Sequence, residues 1–128
     1  MQNKFLGTGQ KGFHPIRKII IAFSGIRYAF RYDFAVTYKA ALSVIVLIWC
    51  FIYRQWLDFS IVFVSTGLMM ISEMFNTTVE ALCDFLEPKE NEKIAIIKDI
   101  AAASAGLSIL IWAVILIIEV LRFWQFVK

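Results

Sequence analysis

A chain of 128 residues has the length of one domain. It is 60% hydrophobic with a mean hydropathy of +0.73, which excludes an ordinary soluble domain and points to a small polytopic membrane protein. The net charge of +3 is modest, and no nucleic-acid partner is expected.

Residues 1–14 hold three glycines and several polar residues, the composition of a mobile tail. The first forty residues are broken by charges and lack a small-residue cleavage site after an apolar core, which argues against a cleaved leader. Pro15 suits a first helical position. From there Ile16, Ile19, Ile20, Phe23, Ile26 and Phe30 share one face, with Arg17, Lys18, Ser24 and Arg31 off it. The expected element is an amphipathic helix over 15–31, lying in the membrane interface with its cations near lipid phosphates.

Three apolar blocks follow, expected as transmembrane helices over 34–53, 59–82 and 98–121. The expected fold is therefore an all-α integral membrane protein, with three spans after the interfacial helix and residues 1–128 forming one unit. Only the third block, with 19 uncharged residues from Ile100 to Ile118, is long enough unaided. The uncharged cores of the other two, Ala40–Tyr53 and Phe59–Ser72, have 14 residues each. They span if Lys39 snorkels to the interface and if Glu73 and Glu80 face protein rather than lipid. The turns RQWLD and EPKENEK are short, and Trp56 and Trp124 stand at the same end, as in an aromatic belt. Cys50 and Cys83 read as buried small apolar residues. The small residues Ala101–Gly106 read as a close helix–helix contact.

Lys4, Lys11, Arg17, Lys18, Arg27, Arg31 and Lys39 all precede the first uncharged core, with Asp33 the only acid among them. This bias places the N-terminus in the cytoplasm. Asp33, the run Glu73–Asp84 and the pair Lys98-Asp99 then share the cytoplasmic boundary.

That run carries the chemistry. At 100° per residue, Glu73, Asn76, Thr77, Glu80 and Asp84 fall within an arc of about 100°. Carboxylate and amide oxygens suit Mg²⁺, and Lys98 offers a cation for phosphate. The rest of the sequence offers little. GTGQKG at Gly7–Gly12 has no strand before it and no βαβ unit after it, so it is not a dinucleotide loop. Asn76-Thr77-Thr78 forms a glycosylation sequon inside a cytoplasmic-side helix and is dismissed. His14 is the single histidine, too few for a zinc site. Composition and spacing leave catalysis open beside structural pairing of charges or ion passage.

Glu73-x-x-Asn76-Thr77-x-x-Glu80-x-x-x-Asp84, followed by Lys98-Asp99-x-Ala101-Ala102, resembles the signature of the prokaryotic diacylglycerol kinase family, which includes the undecaprenol kinases. The resemblance covers most of the chain. It implies an ATP- and Mg²⁺-dependent lipid kinase that phosphorylates the hydroxyl of a membrane lipid, either undecaprenol or diacylglycerol. It also implies a homotrimer in the bilayer of the bacterial inner membrane, with sites shared between subunits on the cytoplasmic side. By position, Glu73 is the general base and Glu80 a metal ligand that contacts the nucleotide. Asn76, Lys98 and Asp99 hold the nucleotide, Arg17 and Lys18 orient phosphates, and Asp84 and Thr77 support the network. Asp33 falls where the family usually has a metal-binding glutamate one methylene longer. Thr78 stands where an alanine is usual. The NT and KDIAA segments lean towards the undecaprenol-kinase branch. The rival readings are a small ion-coupled transporter or channel, with Glu73 and Glu80 along an ion path, and a structural membrane subunit.

Overall fold

Pro15 supplies a preset φ at the first position of helix α1 (Pro15–Tyr32). The structure, a computed structural model, describes residues 15–127. Among them the regular elements are α1, α2 (Phe34–Ile52), α3 (Trp56–Leu86) and α4 (Glu92–Val127). The described residues divide into two units, 15–34 and 35–127, and the expected tail over 1–14 lies outside them.

In the first unit, α1 is amphipathic and none of its side chains is buried. Ile16, Ile19, Ile20 and Phe23 stay exposed along one stripe. Such a stripe matches a helix bedded in a membrane interface.

In the second unit, α2, α3 and α4 are each long and apolar enough to cross a membrane. The helices outrun the apolar blocks. α3 starts at Trp56 rather than Phe59 and ends at Leu86 rather than Leu82, and α4 reaches back to Glu92 and on to Val127. Hydropathy marks where the apolar surface stops, whereas a helix stops only where its backbone is capped or broken. Asn91 provides the cap for α4: its Oδ1 accepts from the Lys93 N–H at 3.0 Å, and Glu92 places an acid in the first turn. At 1.5 Å per residue, the 31 residues of α3 reach about 46 Å, against about 30 Å of hydrocarbon. The helix is therefore longer than the layer is thick.

The α2–α3 turn is a Schellman closure. The Gln55 N–H donates to the Cys50 carbonyl at 2.9 Å, and the Arg54 N–H donates to that of Phe51 at 3.2 Å. Arg54 occupies the left-handed position with φ 57°, where glycine is usual.

α3 and α4 run antiparallel and form the main contact of this unit. Val62, Met69, Trp112 and Leu116 make its core, with Val46 and Leu47 of α2 against them. The Trp112 indole N–H donates to Ser43 Oγ at 2.8 Å, tying α4 to α2. Ser72 and Ser104 hydroxyls meet at 3.4 Å and Ala105 is buried, so part of the small-residue segment lies at the helix contact, while Gly106 meets no neighbour. Cys50 and Cys83 are free and buried. Trp56 and Trp124 are exposed at the same end of the α3–α4 pair. Large apolar side chains such as Ile45, Phe63 and Ile117 face outward, as lipid solvation permits.

Lys39 does not snorkel. It is 4% exposed and points into the protein. It lies on the buried face of α2 with Val36, Ala40, Ser43 and Cys50, and not among the outward Leu42, Ile45 and Ile48. A carboxylate on α3 compensates the charge, so the lysine has no need of the interface.

Candidate active site

The helical period places Glu73, Asn76, Glu80 and Asp84 along one side of the C-terminal end of α3. Glu73 is buried and accepts from the Lys39 ammonium of α2. One turn on, the Asn76 side-chain amide donates to Glu80 Oε1 at 2.8 Å. Asn76 Oδ1 is buried without a hydrogen-bond partner. One further turn on, Lys98 of α4 donates to Asp84 Oδ1 at 2.9 Å.

The three contacts step from the buried to the wet end of the helix, with Asp84 exposed. Beside Asp84 and Lys98 opens a cleft of about 550 Å³, which Glu87, Pro88, Lys89 and Glu92 also line. An ammonium has three donors and Asp84 takes one, so Lys98 is fixed in place with donors left for anionic oxygens.

The structure thus joins Glu73, Asn76, Glu80, Asp84 and Lys98 into one strip across α3 and α4. Thr77 and Asp99 are exposed on the same two helices. Arg17, Lys18 and Asp33 belong to the first unit, where Arg17 and Lys18 are exposed and Asp33 is half-buried. Among the described residues, no three His, Cys, Asp or Glu side chains gather as a metal cage.

Two features of the packing differ from or add to what the sequence leads one to expect. Lys39 is expected at the interface, yet it lies three residues after Val36 and four before Ser43, on the protein-facing stripe of α2. At the other end, the buried Asp58 and Glu119 share Arg122, whose Nη1 donates to Asp58 Oδ1 at 2.6 Å and lies 3.5 Å from Glu119 Oε1. Their signal was an acid at each edge of an antiparallel helix pair, with a cation at i+3.

The family model for prokaryotic diacylglycerol kinase matches residues 20–120. The chain belongs to the prokaryotic diacylglycerol kinase family. The match runs from within α1 through most of α4 and takes in the whole polar strip. Comparison with curated proteins and with solved structures finds no match. Membership identifies a membrane lipid kinase.

Such a family usually employs a divalent metal, and the residues present fit one. Glu80 supplies a carboxylate and Asn76 a buried amide oxygen that lacks a partner. Both are hard oxygen donors. Mg²⁺ commonly takes only one or two protein carboxylates and completes its shell with phosphates and water, so a three-acid cage is not required.

Proposed function

We propose that this chain transfers the γ-phosphoryl group of ATP to the hydroxyl of a membrane lipid, undecaprenol or diacylglycerol, giving undecaprenyl phosphate or phosphatidic acid. The observation that carries the reading is the graded strip on α3, from a buried carboxylate at Glu73 to an exposed ion pair at Asp84 and Lys98. A lipid hydroxyl and a nucleotide approach from different media. A site serving both needs one group inside the apolar boundary and others in water, and the strip supplies that order.

Glu73 is assigned as the base that takes the hydroxyl proton. As that O–H bond breaks, the lipid oxygen forms its bond to the γ-phosphorus. The bond to the β–γ bridging oxygen breaks, and ADP leaves with that electron pair. Lys98, oriented by Asp84, and Asp99 and Asn76 hold the nucleotide, with Thr77 supporting the strip. Glu80 and Asn76 would hold Mg²⁺, which when bound neutralises phosphate charge. Asp33 and Arg17 stand at family positions for metal and phosphate contact, and the same roles are assigned to them. Positioning and electrostatic stabilisation supply most of the rate.

The cations ahead of α2 favour a cytoplasmic N-terminus in the bacterial inner membrane, with the strip on the ATP side. A homotrimer is assigned from the family. It suits a protomer whose three spanning helices leave much apolar surface outward. Ion passage is less well supported: the buried carboxylates Glu73, Asp58 and Glu119 are each engaged by a cation.

The test is purified protein in mixed micelles with ATP labelled at the γ position, offered diacylglycerol and undecaprenol separately. Label should pass to one of the lipids, and only with Mg²⁺ present. No labelled lipid with either acceptor would end the proposal.

A further inference from the structure

Lys39 carries a role that the family motif does not assign. Its ammonium is among the most buried charged groups of the second unit and contacts Glu73 Oε1, 34 residues away in the chain. The turn that bears it is fixed twice. Ser43 Oγ donates to the Lys39 carbonyl at 3.0 Å, and the same hydroxyl accepts from the Trp112 indole. The ammonium also lies 5.6 Å from the centre of the Tyr38 ring, a second favourable contact for a cation. Groups on α2, α3 and α4 therefore converge on one contact.

That contact matters because of where Glu73 sits. It directly follows the uncharged run Phe59–Ser72 and is itself buried. A carboxylate held away from water remains charged only with a compensating partner and hydrogen bond. Only a charged carboxylate can take a proton. The Lys39 contact engages Oε1, one of the two carboxylate oxygens.

Resting on the assignment of Glu73 as base, we propose that Lys39 is a positioning residue for that base, holding Glu73 anionic with Oε1 engaged and Oε2 presented to the lipid hydroxyl. The proton passes from the hydroxyl to Oε2. Lys39 keeps its own proton throughout and touches neither nucleotide nor lipid. The chain thus generates an ionised base inside the apolar boundary from a second helix, without a metal at that carboxylate.

Charge and hydrogen bonding separate in two variants. Lys39→Gln keeps an N–H donor for Glu73 and removes the charge. Lys39→Arg keeps both. In mixed micelles, Lys39→Gln should lower kcat by about 100-fold, the low end of what a general base contributes, with KM for ATP and lipid within about twofold. Lys39→Arg should recover kcat to within about tenfold of the parent. A purely structural lysine would lower the yield of folded protein and leave kcat per folded molecule unchanged. Parental kcat in Lys39→Gln overturns the proposal, as does a loss expressed in KM for ATP, or an Arg variant no better than the Gln variant.

If Lys39→Gln does not fold, Lys39→His serves instead. Imidazole is charged only below about pH 6.5, so its kcat relative to the parent should rise as pH falls through that value. A flat ratio overturns the proposal. Glu73→Gln is measured alongside. Parental kcat there removes the base assignment itself. An inactive Glu73→Gln beside a fully active Lys39→Gln removes only the role of Lys39.

Discussion

Arg122 of α4 donates to Asp58 of α3 at 2.6 Å and closes the end of the helix pair opposite the polar strip. The pair is unequal: the Arg122 side chain is 56% exposed, whereas those of Asp58 and Glu119 are 8% and 5% exposed. Removing the cation strands two buried carboxylates, whereas removing one carboxylate leaves a cation that water can solvate. Arg122→Gln should therefore lower the thermal midpoint in micelles clearly more than Asp58→Asn. The proposed site lies at the far end of α3, so kcat per folded protein should change little in either variant. Equal midpoints for the two would show that burial does not govern this cluster.

The Trp112–Ser43 bond should behave asymmetrically too. Ser43→Ala leaves a buried indole N–H without an acceptor, at a cost of about 1–3 kcal/mol. Trp112→Ala empties a core position beside Val62 and Met69 and should cost about 3–5 kcal/mol. Both should appear as lowered resistance to denaturation in detergent. Because Ser43 also anchors the Lys39 turn, Ser43→Ala should reduce kcat as well, by less than Lys39→Gln. A Ser43→Ala protein with unchanged stability would show that the hydroxyl is not the effective partner of Trp112.

The apolar blocks and the period of the Glu73–Asp84 run made the three spanning helices and the polar face of α3 legible, because burial in lipid and helical geometry both act within one segment. The condition that Glu73 face protein is met, since Glu73 is buried. What faced it was not legible, since Lys39 lies 34 residues away and its partner depends on how α2 sits on α3. Lysine near the end of a span ordinarily snorkels, and here a specific carboxylate overrode that tendency. Asp58 and Glu119 escaped for the same reason, each being an unremarkable acid at the margin of a block until antiparallel packing brings in Arg122. Helix ends were under-read because charged turns such as Glu92–Lys98 continue a helix without adding hydropathy.

Lys98 and Asp84 allow a separation of binding from fixing. If Lys98 meets nucleotide phosphates, Lys98→Met should raise KM for ATP by about 10–100-fold, the range for a lost charged hydrogen bond. Asp84→Asn retains an oxygen acceptor for the ammonium and loses only its charge, so its KM should rise by roughly tenfold or less. KM for the lipid should be unaffected in both. Steady-state kinetics with each substrate varied in turn makes the comparison. A rise confined to lipid KM would move this ion pair out of the nucleotide site.

Glu80 and Asn76 should reveal a metal through concentration dependence. Their oxygens fit one Mg²⁺ that phosphates also bind. Glu80→Gln keeps an oxygen at the position and removes the charge, so it should raise the Mg²⁺ concentration needed for half-maximal rate, with kcat partly restored at high Mg²⁺. Asn76→Leu removes both the amide oxygen and the N–H that holds Glu80, and should shift the Mg²⁺ requirement in the same direction. If the two residues share one ion, the double variant should shift the requirement by less than the two single shifts combined, because groups in direct contact do not act additively. Titrating Mg²⁺ at fixed ATP across the four proteins measures this directly. Independent, fully additive shifts would place Asn76 outside the metal's contacts and leave Glu80 as the only one of the two that holds it.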